Sequence, residues 1–234
     1  MGCTGSSEEQ EPKNIKLERR IRDNKPVPVP IIEDIKKSIC KIIIRKEETE
    51  SKEKEETTGR KKEEENGTGF FIDINSCKYL ITCYHVIKNA INNNFIIEIW
   101  DNNIFNLKFN SSNIIKKLDI ALIDIKEFGI DNISYLDYDA NYIRGCSQYE
   151  NLDIFTLSYQ LGDVLVPTSG KFIKKYDDDL FFHNIDTEEG SSGSPIILFT
   201  KIIIGVHKGY DKEKKLNIGI FIGDIINALN KDKI

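Results

Sequence analysis

Short runs of β-branched and aromatic residues, separated by Asn, Asp and Gly, recur along most of this sequence. They cover residues 40–45, 69–74, 78–83, 94–100, 119–125, 151–157, 163–173, 180–185, 194–200 and 201–207. Many short strands with turn residues between them are typical of a β-sandwich or β-barrel, and no long segment of helical periodicity interrupts them. The pattern therefore predicts an all-β protein.

Two short helices are expected beside the strands. One is predicted near residues 30–38. The other is predicted at the C-terminus, where Asp224 could cap a turn that directs Ile225, Ile226 and Leu229 inward.

Composition narrows the class of protein further. The chain has 234 residues, which is long enough for a full core, and its formal net charge of −5 disfavours general binding to nucleic acid. It contains no run of about 18 apolar residues, so no transmembrane helix is expected. It has no basic and then apolar leader, so we expect a protein that is not secreted.

The five cysteines show no paired CxxC spacing, which predicts neither a zinc site nor a disulfide framework. Cys77 and Cys83 flank one predicted strand and could meet across a turn. In a reducing compartment we expect both to be free, packed thiols. No cofactor and no metal ion are expected.

The first residues match a lipidation pattern. Gly2 follows Met1, and Ser6 lies at the position where the N-myristoylation pattern has Ser or Thr. The match predicts N-myristoylation of Gly2 after removal of Met1. One myristoyl chain binds a bilayer only marginally, so stable anchoring needs a second signal. Cys3 is a candidate for palmitoylation, and the basic residues within 13–25 could contact anionic lipid. We therefore expect a cytoplasmic, membrane-associated protein; the alternative is a disordered tail that matches the pattern by chance.

Two further segments lack the strand pattern. Residues 26–30 alternate Pro and Val and predict an extended spacer, so residues 1–30 form a predicted disordered tail and linker. Residues 46–66 are rich in Glu and Lys without an apolar stripe, which predicts a mobile, solvated loop.

Three segments contain residues suited to nucleophilic catalysis. The stretch TEEGSSGSPII (187–197) places three serines between glycines before a buried strand, and such a turn can direct backbone N–H groups at an oxyanion. A serine needs a neighbouring base, which a carboxylate must orient. His85 follows a predicted strand and Asp119 opens another, with Asp124 as the rival acid. His183, within an apolar strand, is interpreted as a satisfied or surface histidine.

The sequence resembles trypsin-like serine peptidases of the chymotrypsin fold over roughly residues 38–230. Leu80-Ile-Thr-Cys-Tyr-His85, Asp119-Ile-Ala-Leu122 and Gly190-Ser-Ser-Gly-Ser-Pro195 match the three motifs of that family. The resemblance implies two six-stranded antiparallel β-barrels and a short C-terminal helix. The N-terminal barrel (31–130) would contain the His and Asp, and the C-terminal barrel (131–234) would contain the Ser.

The resemblance also implies the role of each residue. Ser192 would be the nucleophile. Ser191 would occupy the variable position of the motif before it, and Ser194 a structural position after it. His85 would act as general base and then general acid, and Asp119 would fix its tautomer. The N–H groups of Gly190 and Ser192 would form the oxyanion hole, and the substrate would be a protein or peptide.

The motif variants look closest to glutamyl endopeptidase-like and intracellular trypsin-like domains. By position, Thr187 and His207 would bind a substrate carboxylate, which implies Glu or Asp at the cleaved position. The alternative for His207 is an ordinary strand histidine. Asp186 lies one residue earlier, where trypsins keep the acid that selects Arg and Lys, so a basic preference stays open. A catalytically silent interaction module of the same fold is the alternative function.

Activation by cleavage is not expected. Secreted members pair a freed amino terminus with an acid just before the nucleophile, where this chain has Ser191. The site would therefore be preformed or switched by a partner.

Overall fold

The structure, a computed structural model, describes residues 25–45, 64–140, 146–161 and 164–231. The predicted acylation residues Gly2 and Cys3, the basic stretch up to residue 24 and residues 46–63 of the charged loop lie outside the described residues. No helix within the described ranges combines the length and apolar character needed to cross a bilayer.

Three α-helices accompany the strands in the described part of the chain. They are α1 (Val29–Ile35), α2 (Tyr84–Ile87) and α3 (Ile222–Lys231). Helix α3 begins two residues before Asp224, which lies in its first turn; Ile225 and Ile226 are buried and Leu229 is half-buried. Both predicted helices are therefore present, and α2 is a single extra turn.

The first sheet has seven strands in the spatial order β5-β4-β1-β2-β3-β7-β6. They are β1 (Ile39–Arg45), β2 (Glu64–Ile74), β3 (Cys77–Cys83), β4 (Asn94–Ile99), β5 (Ile104–Lys108), β6 (Ile114–Ile115) and β7 (Ile120–Asp124). All neighbours pair antiparallel, and every residue of β1 except Arg45 is buried. The sheet curves into a half-barrel.

The second sheet contains the remaining seven strands. They are β8 (Asp137–Tyr138), β9 (Asp153–Gln160), β10 (Val164–Lys175), β11 (Leu180–His183), β12 (Pro195–Leu198), β13 (Ile202–Asp211) and β14 (Leu216–Phe221). Strand β12 pairs with both β9 and β13, so six strands close into a barrel, and β8 adds a short parallel pairing to β13.

The closed barrel and the C-terminal helix confirm the predicted all-β class. We also expected the first sheet to close into a barrel. It stays open, because its outer strands β5 and β6 do not pair with each other within the described ranges. Strand β6 has only two residues and offers few backbone groups for a further ladder. The predicted division at residue 130 stays a prediction, although the first sheet ends at Asp124 and the second begins at Asp137.

One apolar core joins the two sheets. Phe70 and Leu80 of the first sheet belong to the same buried cluster as Leu157 and Val206 of the second, and Ile226 of α3 lies in it too. Burial of apolar surface provides about 25 cal/mol per Å². The shared cluster therefore holds the end of β3 against the second sheet, which fixes the relative position of the residues that follow β3.

A tight contact inside the closed barrel yields a stability prediction. A Cβ atom at Gly219 would lie within 2.7 Å of the Phe181 ring, which is fully buried. Overpacking of this kind costs about 1–3 kcal/mol. We expect Gly219→Ala to lower the free energy of unfolding, measured by urea titration, by that amount.

Gly209 is the matched control, because a Cβ atom there would meet nothing within 4 Å. Gly209→Ala should change stability by less than about 0.5 kcal/mol. Equal effects of the two substitutions would contradict the described packing of Phe181.

Candidate active site

His85 and Asp119 meet at the end of the β3–β7 ladder. Strand β3 ends at Cys83, which pairs with Ile120, so the residues just beyond that pair lie side by side. His85 stands in α2, and Asp119 adopts a left-handed backbone (φ 59°) between a 3-10 turn and β7. The rival acid Asp124 ends β7 and is exposed. The structure therefore brings together the pair of residues that the sequence predicts.

The Asp119 carboxylate accepts two hydrogen bonds from the same histidine. Its Oδ2 lies 2.7 Å from His85 Nδ1, and its Oδ1 accepts from the His85 backbone N–H at 2.9 Å. The Asp119 carbonyl also accepts from the Tyr84 N–H at 2.8 Å. A carboxylate at Nδ1 favours the tautomer with its proton there, which leaves the Nε2 lone pair free to accept a proton.

Electrostatics keep Asp119 ionised. Burial opposes the charge, but the hydrogen bonds and charge of His85, together with the charge of Lys208, lower the pKa of the Asp119 carboxyl below its usual value. The carboxylate can therefore stabilise a positive charge on the imidazole.

The serine turn needs glycine at two places. Gly190 (φ 93°) and Gly193 (φ 87°) both adopt conformations that favour glycine. A Cβ atom at Gly190 would collide with the Tyr159 carbonyl oxygen, and one at Gly193 would collide with the Thr68 carbonyl oxygen. The backbone of this turn thus packs directly against both sheets.

Thr68 of β2 connects the first sheet to the serine turn. Its N–H donates to the Ser192 carbonyl at 3.0 Å, and its hydroxyl donates to the Gly190 carbonyl at 2.8 Å. The same hydroxyl accepts from the Tyr159 N–H at 3.0 Å. The Thr82 hydroxyl, on β3, donates to the Thr68 carbonyl at 2.8 Å. Sequence analysis did not single out Thr68, because a buried Thr in a strand has no distinguishing pattern.

Two peptide groups of the serine turn are held through their carbonyl oxygens. The Glu189 carbonyl accepts from the Leu161 N–H at 2.8 Å, and the Ser191 carbonyl accepts from the Ser194 N–H at 3.1 Å. In a trans peptide the N–H points opposite to the carbonyl. The N–H groups of Gly190 and Ser192 therefore point away from these partners, and neither donates to an acceptor within the described part of the chain.

Ser192 itself is half-buried, and its hydroxyl donates to the Lys208 carbonyl at 3.4 Å. A hydrogen bond from Ser192 to His85 is absent among the described residues. The turn nevertheless packs against the end of β3, because the Gly193 N–H and the Cys83 Sγ share one acceptor, the His207 carbonyl, at 2.9 and 3.4 Å.

Ser191 is fully buried and neutral. Its hydroxyl lies 3.3 Å from the Ser158 hydroxyl and accepts from the Glu188 N–H at 3.3 Å. One hydroxyl and one backbone N–H thus contact the side chain at the position where secreted members of the resembled family have an acid. Ser194 is also buried, and its hydroxyl accepts from Thr156 at 2.9 Å, which agrees with the structural place predicted for it.

Two histidines form a buried pair beneath the site. His207 Nδ1 lies 3.2 Å from His183 Nε2, and both rings are almost completely buried. Burial, with a smaller effect of the His85 charge, lowers the pKa of His207 to about 3; burial and His207 lower the pKa of His183 well below its usual value. Both imidazoles are therefore neutral at pH 7 and can act as hydrogen-bond donors or acceptors.

Thr187 lies next to a polar group that sequence reasoning missed. Its hydroxyl donates to Asn217 Oδ1 at 3.0 Å, and Asn217 Nδ2 donates to the Ile185 carbonyl at 2.6 Å. Asn217 pairs with His183 across the β11–β14 ladder. His183 and Asn217 could have been singled out because each is a polar residue within an apolar strand. Burial of a polar group without a hydrogen-bond partner is costly, so such a residue indicates a partner nearby. Asp186 is half-buried and has interactions of its own.

The thiols are free, as predicted for Cys77 and Cys83. Cys40 and Cys146 are also free, so disulfides are absent among the four described cysteines. Cys83, His85 and Asp119 form the one group within the described ranges in which at least three thiol, imidazole or carboxylate atoms lie within 4.8 Å of one another.

Comparisons with known proteins agree with this geometry. A profile of the trypsin-like peptidase domain matches residues 67–206, which is more than half of the chain. No curated protein sequence matches the chain.

Two solved structures are similar to the fold. One is the active form of the Rv3671c protease from M. tuberculosis (TM-score 0.65, 19% identity, 89% of this chain and 87% of that chain covered). Another is the serine endoprotease from Yersinia pestis (TM-score 0.64, 12% identity, 89% and 67% covered). At these identities the structural likeness supports the fold, while the profile match identifies the family. The chain thus belongs to the trypsin-like peptidase domain family, and it is a serine-type endopeptidase.

Proposed function

We propose that this endopeptidase cleaves peptide bonds through Ser192, His85 and Asp119. The observation that carries the proposal is the His85–Asp119 pair, at 2.7 Å, beside a glycine-flanked serine whose neighbouring N–H groups have no acceptor among the described residues. These are the parts that acyl transfer needs: a nucleophile, an oriented base and donors for the oxyanion.

The proposed reaction begins with attack by Ser192. When a substrate binds, the Ser192 hydroxyl leaves the Lys208 carbonyl and donates to His85 Nε2, which takes its proton as Oγ attacks the scissile carbonyl carbon. Hydrogen bonds in such sites are often long before substrate binds. Asp119 stabilises the resulting imidazolium, and the N–H groups of Gly190 and Ser192 bind the oxyanion.

The tetrahedral intermediate collapses when the C–N bond breaks and His85 gives its proton to the leaving amine. The product is an acyl-enzyme on Ser192. Water then attacks this ester, His85 takes a proton from the water, and collapse of the second intermediate returns the proton to Ser192. The peptide bond is thereby hydrolysed and the enzyme is regenerated.

We infer that the site is preformed rather than generated by cleavage. Ser191 is held by Ser158 and Glu188, and the Ser191 and Glu189 carbonyls are already bound to Ser194 and Leu161. These contacts support the orientation that the oxyanion donors need, and they use only neutral groups.

We further propose a preference for Glu or Asp at the cleaved position. Thr187, Asn217 and the neutral His207–His183 pair support it, because they offer hydroxyl, amide and imidazole groups next to the serine turn. If His183 Nε2–H donates to His207 Nδ1, the Nε2 of His207 keeps a proton and can donate to a carboxylate. The Thr187 hydroxyl would turn from Asn217 toward the same carboxylate.

We also propose that the peptidase is held on a membrane surface by acylation of Gly2 and Cys3, with help from the basic residues within 13–25. The support is the sequence alone: a glycine directly after Met1, an adjacent cysteine and a positively charged stretch. Two acyl chains bind a bilayer stably where one does not.

The catalytic assignment predicts covalent labelling of the purified protein by a fluorophosphonate probe. We expect the label on Ser192, as measured by peptide mass mapping, and no label on that peptide in Ser192→Ala. Asp119→Asn should slow labelling by about 10⁴-fold, because it reverses the hydrogen bond that sets the histidine tautomer. Ser191→Ala is the matched control and should still be labelled at Ser192. An unlabelled wild type, or a label on Ser191, would contradict the assignment.

The specificity proposal predicts faster cleavage of fluorogenic peptides with Glu than with Gln, Lys or Arg at the cleaved position. Thr187→Val should reduce kcat/KM for Glu by about 10–100-fold, because a hydrogen bond to a charged group contributes about 1.5–3 kcal/mol. It should affect Gln peptides less. Asp186→Asn is the control and should leave cleavage after Glu intact. Preferred cleavage after Lys or Arg that Asp186→Asn abolishes would favour the basic alternative.

The acylation proposal predicts incorporation of an alkyne myristate analogue when the chain is expressed in eukaryotic cells. Gly2→Ala should abolish the label, whereas Ser7→Ala, outside the pattern, should retain it. Cys3→Ser should keep the label but move the protein from membrane to soluble fractions, because a single chain anchors weakly. Absence of label in the wild type would refute myristoylation.

A further inference from the structure

The Cys83 thiol lies next to the predicted catalytic pair, His85 and Asp119. The Cys83 Sγ, a His85 ring nitrogen and an Asp119 carboxylate oxygen all lie within 4.8 Å of one another. The three residues come from β3, α2 and the turn before β7, so the β3–β7 ladder holds all of them in register. The peptidase chemistry described above gives the thiol no task.

The three donors differ in exposure. Cys83 is fully buried, whereas the side chains of His85 and Asp119 are 36% and 22% exposed. An ion from solvent can therefore reach the imidazole and the carboxylate first, with the thiol at the base of the site.

Thiolate, imidazole and carboxylate are the usual ligands of Zn²⁺, at about 2.0–2.3 Å. In a tetrahedron with these bond lengths, ligand atoms are about 3.5 Å apart. The Cys83 Sγ would have to move inward, and the 2.7 Å contact between His85 Nδ1 and Asp119 Oδ2 would have to open. Binding of the ion would require both of these side-chain movements.

We propose that Cys83, His85 and Asp119 form an inhibitory site for Zn²⁺, an inference that rests on the catalytic role proposed for His85. The ion displaces the Cys83 S–H proton and the His85 Nδ1–H proton, both of which pass to solvent. It binds the thiolate, Nδ1 and one carboxylate oxygen, and water completes the tetrahedron. The two negative ligands balance the ion's charge, which limits the cost of placing it beside a buried thiol.

A zinc ion at this site prevents His85 from acting as the general base. Once Nδ1 binds the ion, the imidazole can no longer donate to Asp119, and a second positive charge on the ring is opposed by the adjacent cation. His85 then cannot take the Ser192 proton, so peptide cleavage stops until zinc is removed.

The test is a zinc titration of the purified full chain, with Cys83→Ser and Cys83→Ala beside the wild type. Peptide cleavage reports inhibition, and a Co²⁺ titration reports binding through the near-ultraviolet absorption of a cobalt–thiolate bond. We expect zinc to inhibit the wild type, reversibly on chelation, and to saturate at one ion per chain. Even loss of an outer-shell partner costs about 10–100-fold in metal affinity, so loss of the thiol should raise the inhibitory zinc concentration by about 100-fold.

Both Cys83 variants should keep their cleavage activity without zinc, because a neutral thiol has no part in the reaction. Cys83→Ser also keeps a donor for the His207 carbonyl, so it preserves the packing if Cys83→Ala does not fold. Cys77→Ser is the matched control: Cys77 is a free thiol at the other end of β3, and its replacement should leave zinc inhibition unchanged.

Equal zinc inhibition in the wild type and the Cys83 variants, or relief by Cys77→Ser, would overturn the proposal, as would a wild type without the cobalt–thiolate band. Peptide cleavage tests the catalytic role and the cobalt titration tests the ion site, so the two claims can fail separately. Active enzyme that binds no ion refutes the zinc site alone. A protein that shows the band but cleaves nothing refutes the catalytic role and the inhibition, and leaves only the ion site.

Discussion

The hydrogen bonds of Thr68 are the interaction on which the rest of the site depends. Through its N–H and hydroxyl, one residue of the first sheet holds the carbonyl groups of Ser192 and Gly190, which lie in the turn that leads into β12 of the second sheet. Thr82 donates a hydrogen bond to the Thr68 carbonyl in turn, and Thr68 and Thr82 are both fully buried. An unpaired polar group in such a place costs about 1–3 kcal/mol, so the network forms as a unit. It fixes the serine turn relative to β3, which leads directly to His85.

A second constraint is that the interior beneath the serine turn is neutral. Ser191 is held by hydroxyl and amide groups, and burial keeps His183 and His207 uncharged. Asp119 is ionised, but it lies on the partly exposed side and is paired with His85. A buried charge without a partner would be costly. This arrangement explains how the turn can hold its shape without an ion pair, and why the groups proposed to bind a substrate carboxylate are neutral donors.

Prediction from sequence succeeded where a pattern is local. Runs of β-branched residues located β1, β3 and β9 closely, because alternation and burial act within a few residues. Strands β5 and β14 were missed: β5 has one buried residue, and β14 is interrupted by Asn217 and Gly219. Closure of the first sheet was overestimated, because pairing of its outer strands depends on contacts between distant parts of the chain.

The sequence by itself determined the strand-rich class and the order of His85, Asp119 and Ser192, because glycine-flanked turns and acids at strand ends are dictated by local conformation and burial. Only the tertiary structure decided that His183 pairs with His207, that Thr68 holds the serine turn, and that Cys83 stands behind the His85–Asp119 pair. These contacts join residues that are far apart in sequence or that lack a motif. They arise from strand register and a shared core, so no short stretch of sequence contains them.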